Sequence, residues 1–270
     1  ALDLGLVDPE TEIEVFRKTK ILGTDVRDDH YKVPKLSVTD IIAKSSNVGT
    51  ATLASKIGRN NQITMLNDLG LFHPTEIELI EAKSITPLRP KKWIDSSTVT
   101  ISYGYGLSIS PLHLAIAYAT LVNGGYKVTP TILKQNNKDL GRRIISEGTS
   151  NHLREILRSV VQRGTATLGN VEGYEVGGKT GTANKQKIGA KGYDNDRVVS
   201  TFASFFPAKS PRYVLVVSFD EPSYRGGKEK SERSAGWTAV PVSAEIIKRI
   251  APLLNLRPSF DSDQVVQIDR

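Results

Sequence analysis

The sequence predicts a mixed α/β fold of the α+β type, built around an antiparallel sheet. Helical patterns come first along the chain, strand patterns occupy residues 198–219, and a helical pattern follows near 241–255. This segregated order favours an antiparallel sheet over regular βαβ alternation. Of the 270 residues, 39% are hydrophobic, which is enough for a sizeable core. No linker-like stretch divides the chain, so we expect one domain over 1–270.

Two short helices and a polar corner are predicted for residues 37–58. Ser37 can cap the first helix, the polar stretch 44–49 interrupts the pattern, and helix-forming residues then resume. A further short helix is predicted over 61–69. Residues 84–108 are predicted to be loop, because Pro and Gly interrupt them repeatedly.

The later elements have clearer patterns. A Ser-Pro start and a Gly-Gly end delimit a helix within 110–125, and residues 150–163 carry the one-sided apolar stripe of an amphipathic helix. Residues 198–219 read as a hairpin, whose second strand is apolar on both faces. The last helix, 241–255, also has a broad apolar face.

Composition limits the chemistry of the chain. It contains no Cys and four His without an H-x-x-x-H pair, so disulfides, thiolate metal sites and a Cys nucleophile are excluded. Catalysis would have to use hydroxyl, amine or carboxylate groups. The net charge of +7 is compatible with nucleic acid, a membrane surface or a carboxylate-bearing substrate, and does not choose among them. No run approaches the ~18 apolar residues of a membrane span.

One motif suggests a nucleotide hydrolase. Residues 173–180 fit the phosphate-loop pattern G-x-x-x-x-G-K-[ST], and the apolar run 213–221 ends in acidic residues. A phosphate loop must join a buried strand to a helix. Residues 164–172 have no strand pattern, and 181–192 contain several Gly without an apolar stripe. The sequence therefore disfavours an ATPase.

Lys179, the lysine of this motif, has another interpretation when it is considered together with a triplet near residue 45. Ser45-Ser46-Asn47 and Lys179-Thr180-Gly181 match, in order, the S-x-N and K-T-G motifs of penicillin-binding proteins. Alone, the first is more typical of a capped turn and the second of a strand end.

Longer blocks, including YGYGLSISPLHLAIAYATLVNGG and SFFPAKSPRYVLVVSFDEP, carry the resemblance over nearly all of the chain. The sequence resembles the transpeptidase domain of class B penicillin-binding proteins, most closely the septal, cell-division peptidoglycan transpeptidase. The resemblance implies the penicillin-binding and serine β-lactamase-like fold, an antiparallel sheet with helices on both faces.

One family motif is missing. No Ser in the chain is followed by Lys three positions later, and the hydroxyl analogue Thr131 to Lys134 lies after the S-x-N triplet. The first residues resemble the family segment that follows the nucleophile. We therefore expect the nucleophile upstream of Ala1, the N-terminal part of the domain to be missing, and no independent turnover by this chain.

The resemblance implies roles for three catalytic residues. Ser45 would relay a proton toward the leaving D-alanine, since a hydroxyl both donates and accepts. Asn47 would hold the substrate amide and help to position the family's catalytic lysine. Lys179 would place positive charge near the substrate carboxylate.

It also implies a substrate-binding set. Thr180 and Thr182 would offer hydroxyls to the substrate carboxylate, and the amide of Thr182 would be one oxyanion donor. Gly181 would let the substrate approach the backbone closely. Ser46 and Tyr105 are assigned to the same groove, although Tyr105 could equally pack against its own loop.

The family further implies a bacterial inner-membrane protein with its catalytic domain in the periplasm. Expected partners are peptidoglycan stem peptides, β-lactams, the missing N-terminal segment, and divisome proteins including a glycosyltransferase. No nucleic acid, metal or organic cofactor is expected. Two alternatives stay open, a non-catalytic penicillin-binding-like scaffold and an elongation-specific transpeptidase.

Overall fold

The structure is a computed structural model that describes residues 1–28, 33–136, 140–187, 189–190, 192–223 and 230–259. The strands are β1 (Glu12–Glu14), β2 (Lys18–Ile21), β3 (Thr24–Arg27), β4 (Lys35–Ser37), β5 (Gly177–Gln186), β6 (Tyr193–Phe206) and β7 (Tyr213–Asp220). The α-helices are α1 (Val38–Ala43), α2 (Asn47–Ile57), α3 (Arg59–Asp68), α4 (Asp95–Ser102), α5 (Pro111–Val122), α6 (Glu147–Arg163) and α7 (Ala239–Leu253). Short 3-10 helices cover Ile80–Ser84, Thr167–Gly169 and Lys230–Arg233.

Short strands precede the helices, which the sequence analysis did not predict. Strand β1 pairs with β4, and β2 pairs with β3, both antiparallel. Each strand has three or four residues, and β1 and β3 bury one side chain apiece, Ile13 and Val26. So short a segment carries too few alternations to produce a strand pattern.

The predicted helices around the polar corner are confirmed. The Ser37 hydroxyl accepts a hydrogen bond from the backbone N–H of Asp40 and caps α1. The Ser46 hydroxyl accepts from the N–H of Gly49 and caps α2. Both helices use side-chain oxygen to satisfy an otherwise unpaired amide.

The prediction of loop over 84–108 is wrong for residues 95–102, which form α4. The Ser97 hydroxyl accepts from the backbone N–H of Ile94 at the start of this helix, and Val99 is fully buried. The Pro and Gly residues lie outside the helix. The segment is rich in Ser and Thr and has no broad apolar stripe, so tertiary packing on α2 decides its conformation.

The long helices are confirmed with small differences at their starts. Helix α5 is capped by Ser110, whose hydroxyl accepts from the N–H of His113. Helix α6 begins three residues earlier than predicted, because Ser146 caps it. Within the ranges that the structure covers, no helix is long and apolar enough to cross a membrane.

The main sheet has the order β5-β6-β7 and is antiparallel throughout. On one face the buried rings of Phe202 and Phe206 pack with α7, and on the other Phe205 packs with α5 and α6. The predicted antiparallel sheet with helices on both faces is therefore confirmed. Lys179 lies within β5, where a phosphate loop would require a helix start, so the nucleotide interpretation is excluded.

Candidate active site

The two sequence triplets meet at one hydrogen bond. Lys179 Nζ donates to Ser45 Oγ over 2.9 Å, although the two residues are 134 positions apart. Lys179 projects from β5, and Ser45 occupies the turn between α1 and α2. The structure thus brings together the S-x-N turn and the K-T-G strand, as the sequence predicted.

The turn holds Ser45 in a left-handed conformation. Its φ is 58°, its N–H donates to the carbonyl of Ile42, and the next N–H, that of Ser46, donates to the carbonyl of Ile41. This pair of bonds closes the C-terminus of α1 in the manner that usually requires Gly. Ser45 is exposed as a result, with its hydroxyl toward Lys179.

Ser46 is turned into the protein. Its hydroxyl donates to Asp28 Oδ2 over 2.5 Å, and the other carboxylate oxygen of Asp28 accepts from the N–H of Val48 over 2.9 Å. Both Ser46 and Asp28 are buried. This orientation makes Ser46 a helix cap and does not support the predicted contact with substrate.

Asn47 is held against the end of β3. Its Nδ2 donates to the backbone carbonyl of Arg27 over 3.2 Å, and the side chain is half-buried. This contact with Arg27, the residue before Asp28, orients the amide oxygen of Asn47. The end of β3 fixes two of the three residues of the S-x-N triplet.

Lys179 is a half-buried cation. Besides Ser45, its Nζ donates to the carbonyl of Thr180 over 3.1 Å. Burial lowers the pKa of Lys179 to about 8, because few water molecules can solvate the ammonium group. No carboxylate among the described residues forms an ion pair with it, so it can accept a carboxylate from a ligand.

The hydroxyls of the K-T-G strand are each held by a neighbour. Thr180 Oγ1 lies 2.6 Å from Thr165 Oγ1, and Thr182 Oγ1 accepts from the N–H of Ala235 over 3.0 Å. Each hydroxyl retains hydrogen-bonding capacity for a ligand. Thr165 also joins the strand to the turn region, since its N–H donates to the carbonyl of Ala43.

Gly181 faces open space. A Cβ placed on it would find only the carbonyl oxygen of Thr201 within 4 Å, at 3.9 Å. At Gly178, by contrast, a Cβ would lie 2.5 Å from the carbonyl oxygen of Ala203. Protein packing would allow a side chain at position 181. The space beside Gly181 is therefore open to a ligand.

Tyr105 packs within an aromatic cluster. Its ring meets Tyr103 edge-on at 6.1 Å between centroids and Tyr193 at 4.8 Å. Tyr193 begins β6, so the cluster joins the loop after α4 to the sheet. Packing in this cluster is sufficient to explain the position of Tyr105. The assignment of Tyr105 to the substrate groove stays a prediction.

Sequence reasoning missed Asp28 and Thr165. Neither belongs to a recognisable motif. Asp28 matters because it contacts Ser46, 18 positions away, and Thr165 because it contacts Thr180, 15 positions away. No signal in the sequence could have identified them. In the described part of the chain, no group of three or more His, Cys, Asp or Glu could hold a metal ion.

A sheet flanked by helices, with K-T-G on its edge strand beside an S-x-N turn, defines the penicillin-binding and serine β-lactamase class of folds. The family model described as penicillin binding protein transpeptidase domain matches residues 1–243. The chain belongs to this family.

Individual proteins agree with that assignment. A Caulobacter vibrioides protein named "Probable peptidoglycan D,D-transpeptidase FtsI" is 35% identical over 265 residues, which cover 95% of this chain and 44% of the relative. The transpeptidase domain of Burkholderia pseudomallei penicillin-binding protein 3 is 34% identical with a TM-score of 0.85, covering 96% of this chain and 77% of that one. Mycobacterium tuberculosis penicillin-binding protein 3 complexed with ampicillin is 28% identical with a TM-score of 0.83, and the match covers 97% of this chain and 61% of that one. The chain thus spans less than half the length of the curated relative.

Proposed function

We propose that the protein is a serine-type peptidoglycan D,D-transpeptidase, and that this chain supplies two walls of its active site. The observation that carries the proposal is the 2.9 Å contact between Lys179 Nζ and Ser45 Oγ. It places a cation and a hydroxyl from two family motifs at one point. The names of the relatives, and the ampicillin bound to one of them, support acyl transfer on D-alanyl-D-alanine and acylation by β-lactams.

The reaction begins with attack of a serine hydroxyl on the carbonyl carbon of the penultimate D-alanine. The C–N bond to the terminal D-alanine breaks, its nitrogen takes up the proton that the serine hydroxyl lost on attack, and the acyl group stays on the serine as an ester. Ser45 lies beside Lys179 and passes that proton to the leaving amine. The ammonium group of Lys179 binds the terminal carboxylate and so positions the peptide bond for attack.

The remaining residues orient the substrate. Asn47 holds the peptide amide, and Thr180 and Thr182 offer their hydroxyls to the carboxylate. The backbone N–H of Thr182 stabilises the oxyanion, and Gly181 lets the peptide lie against the strand. The nucleophile serine and its lysine come from a part of the protein outside these 270 residues, since none of the serines here lies in an S-x-x-K motif.

The cellular role that we propose is septal cross-linking. It rests on the sequence resemblance and on the relative named FtsI. The catalytic domain then lies in the periplasm of a bacterium, joined to the inner membrane and to divisome proteins that include a glycosyltransferase. Localisation of a tagged full-length protein tests this role, because midcell signal supports it and sidewall signal contradicts it.

The activity is tested by labelling the full-length protein with a fluorescent penicillin, followed by denaturing separation and peptide mapping. We expect label on a Ser of an S-x-x-K segment outside this chain. Lys179→Ala should slow labelling by about 10²-fold or more, because one electrostatic contact to the reacting group is lost. Lys209→Ala, at an exposed lysine on the turn after β6, is the matched control and should label at the normal rate.

Absence of label on folded full-length protein would contradict the transpeptidase proposal and favour the non-catalytic scaffold. Label on a residue within this chain would contradict the proposed position of the nucleophile. Equal labelling rates for Lys179→Ala and Lys209→Ala would remove the role proposed for Lys179.

A further inference from the structure

The segment 79–94, together with the face of α3 beneath it, exposes an unusual amount of apolar surface, which we call the 79–94 surface. Ile80 is 85% exposed and Leu88 is 72% exposed, and further large apolar side chains of the segment are also exposed. These are Leu79, Ile85 and Ile94. Single exposed apolar residues are ordinary, but a concentration in one segment marks an interaction surface.

The surface contains a cavity of about 460 Å³ with aromatic walls. The rings of Phe72 and Trp93 meet edge-on at 5.9 Å, and the guanidinium of Arg89 lies 4.9 Å from the centre of the Phe72 ring. The other lining residues are Ile63, Pro90 and Lys91. A concave, mostly apolar cavity of this volume can receive a large side chain, with cations placed at its mouth.

The charge of the surface is predominantly positive. Residues 79–94 contain four cations, Lys83, Arg89, Lys91 and Lys92, and one acid, Glu81, which gives +3. All four cations are exposed, and none forms an ion pair within the parts of the chain that the structure covers. An approaching partner with carboxylates would therefore meet unneutralised positive charge.

The surface is also preformed. Trp93 Nε1 donates to Thr98 Oγ1 over 3.1 Å, which fixes the indole on the start of α4. Leu88 and Ser108 exchange two backbone hydrogen bonds of 2.9 Å, which hold the chain on either side of α4 together. A partner would lose little free energy in ordering these groups.

We propose that the 79–94 surface docks an acidic amphipathic segment of a protein partner. A large apolar side chain of the partner enters the cavity that Phe72 and Trp93 line, and the partner's carboxylates face Arg89 and Lys91. A concave cavity with aromatic walls fits one protruding side chain better than the flat face of a bilayer. The surface contains none of the residues proposed for catalysis, so this inference does not depend on the proposed function.

The test uses Trp93 as its own reporter. These 270 residues contain two Trp, so Trp237→Phe leaves Trp93 as the sole indole of this chain. Its fluorescence is titrated with a helical peptide of about 18 residues, five turns, carrying Leu and Phe on one face and Glu on the other. We expect a saturable change that weakens as salt is added.

Charge reversal then separates docking from nonspecific attraction. Arg89→Glu with Lys91→Glu should weaken peptide binding by about tenfold or more, because like charges then face each other. Lys20→Glu with Lys248→Glu makes the same change in net charge at exposed sites elsewhere and should bind as before. Thermal unfolding of each variant confirms that it is folded.

Three outcomes would overturn the proposal. The first is no change in Trp93 fluorescence with the peptide, and the second is equal weakening by both charge reversals. The third is a response to vesicles containing phosphatidylglycerol without a response to the peptide, which would make the surface a lipid-binding one. None of these results bears on penicillin labelling, so failure here is distinct from failure of the proposed activity.

Discussion

The carboxylate of Asp28 accepts a hydrogen bond from the Ser46 hydroxyl over 2.5 Å, and this buried contact anchors the turn that presents Ser45 to Lys179. The anchor lies at the end of β3, whereas the turn joins α1 to α2. The geometry of the candidate active site therefore depends on a residue that belongs to neither triplet.

We expect Asp28→Asn to loosen this turn. The substitution weakens two charge-assisted hydrogen bonds to a buried carboxylate, so the free energy of unfolding should fall by about 2 kcal/mol. Penicillin acylation of the full-length protein should slow by about tenfold, because a small displacement of Ser45 lowers reactivity. Urea unfolding and stopped-flow labelling measure the two effects. Asp25→Asn, at an exposed residue of β3, should leave both unchanged, and identical behaviour of the two variants would contradict the anchoring role.

Ser45→Gly should separate stability from activity. Gly adopts a φ of 58° without steric strain, and this relief exceeds its larger loss of backbone entropy, so stability should rise by about 0.5 to 1 kcal/mol. Penicillin acylation should nevertheless fall by about 10²-fold, because the proton relay is lost. Ser45→Ala removes the same hydroxyl but keeps the strain, so it should lose activity without gaining stability. A stability gain in both variants would mean that the strain is absent.

The lowered pKa of Lys179 predicts a particular dependence of stability on pH. Because its pKa is about 8 in the folded protein and about 10.5 when unfolded, the unfolded chain binds more protons between these values, and stability rises as pH increases through this window. Relative to Lys179→Met, the wild type should gain about 2 to 3 kcal/mol between pH ~7 and pH ~11. Urea unfolding at several pH values measures this difference.

The control for that experiment is Lys248→Met, at an exposed position of α7, which should differ from wild type by a constant amount. A difference between wild type and Lys179→Met that is flat with pH would show that the ammonium group is well solvated. The carbon-13 chemical shift of the Lys179 Cε provides an independent titration.

Gly181 and Gly178 form a matched pair on the same strand. A Cβ at 181 meets only Thr201 oxygen at 3.9 Å, so Gly181→Ala should destabilise the protein by less than about 1 kcal/mol. It should still block penicillin labelling strongly, since the methyl group occupies the path of the ligand. Gly178→Ala places a Cβ 2.5 Å from the carbonyl oxygen of Ala203 and should destabilise by about 3 kcal/mol or more. Unimpaired labelling of Gly181→Ala would show that the ligand does not approach this residue.

Local signals predicted most of the helices. Ser37 and Ser110 were recognisable caps, because a cap depends on residues within three positions of it. Helix α4 was not predicted, because its Ser- and Thr-rich sequence becomes helical through the burial of Val99 against α2. The four short strands before α1 were not predicted either, because each contains too few residues to show alternation of apolar and polar side chains.

The candidate site was predictable in composition but not in detail. The two triplets identified Ser45 and Lys179, and the structure brings them into contact. The sequence could not show that Ser46 points inward, because its direction follows from the buried carboxylate of Asp28. It could not show that Tyr105 packs on Tyr193, which belongs to a distant strand.

The sequence by itself determined the types of most elements, the family, and the residues that carry hydroxyl and amine chemistry, because caps, periodicity and motifs are local properties. Only the tertiary structure decided which hydroxyl meets Lys179, what holds the turn in place, and how far the pKa of that lysine falls. These properties arise from burial and from contacts between residues far apart in the chain, where the surrounding protein replaces water.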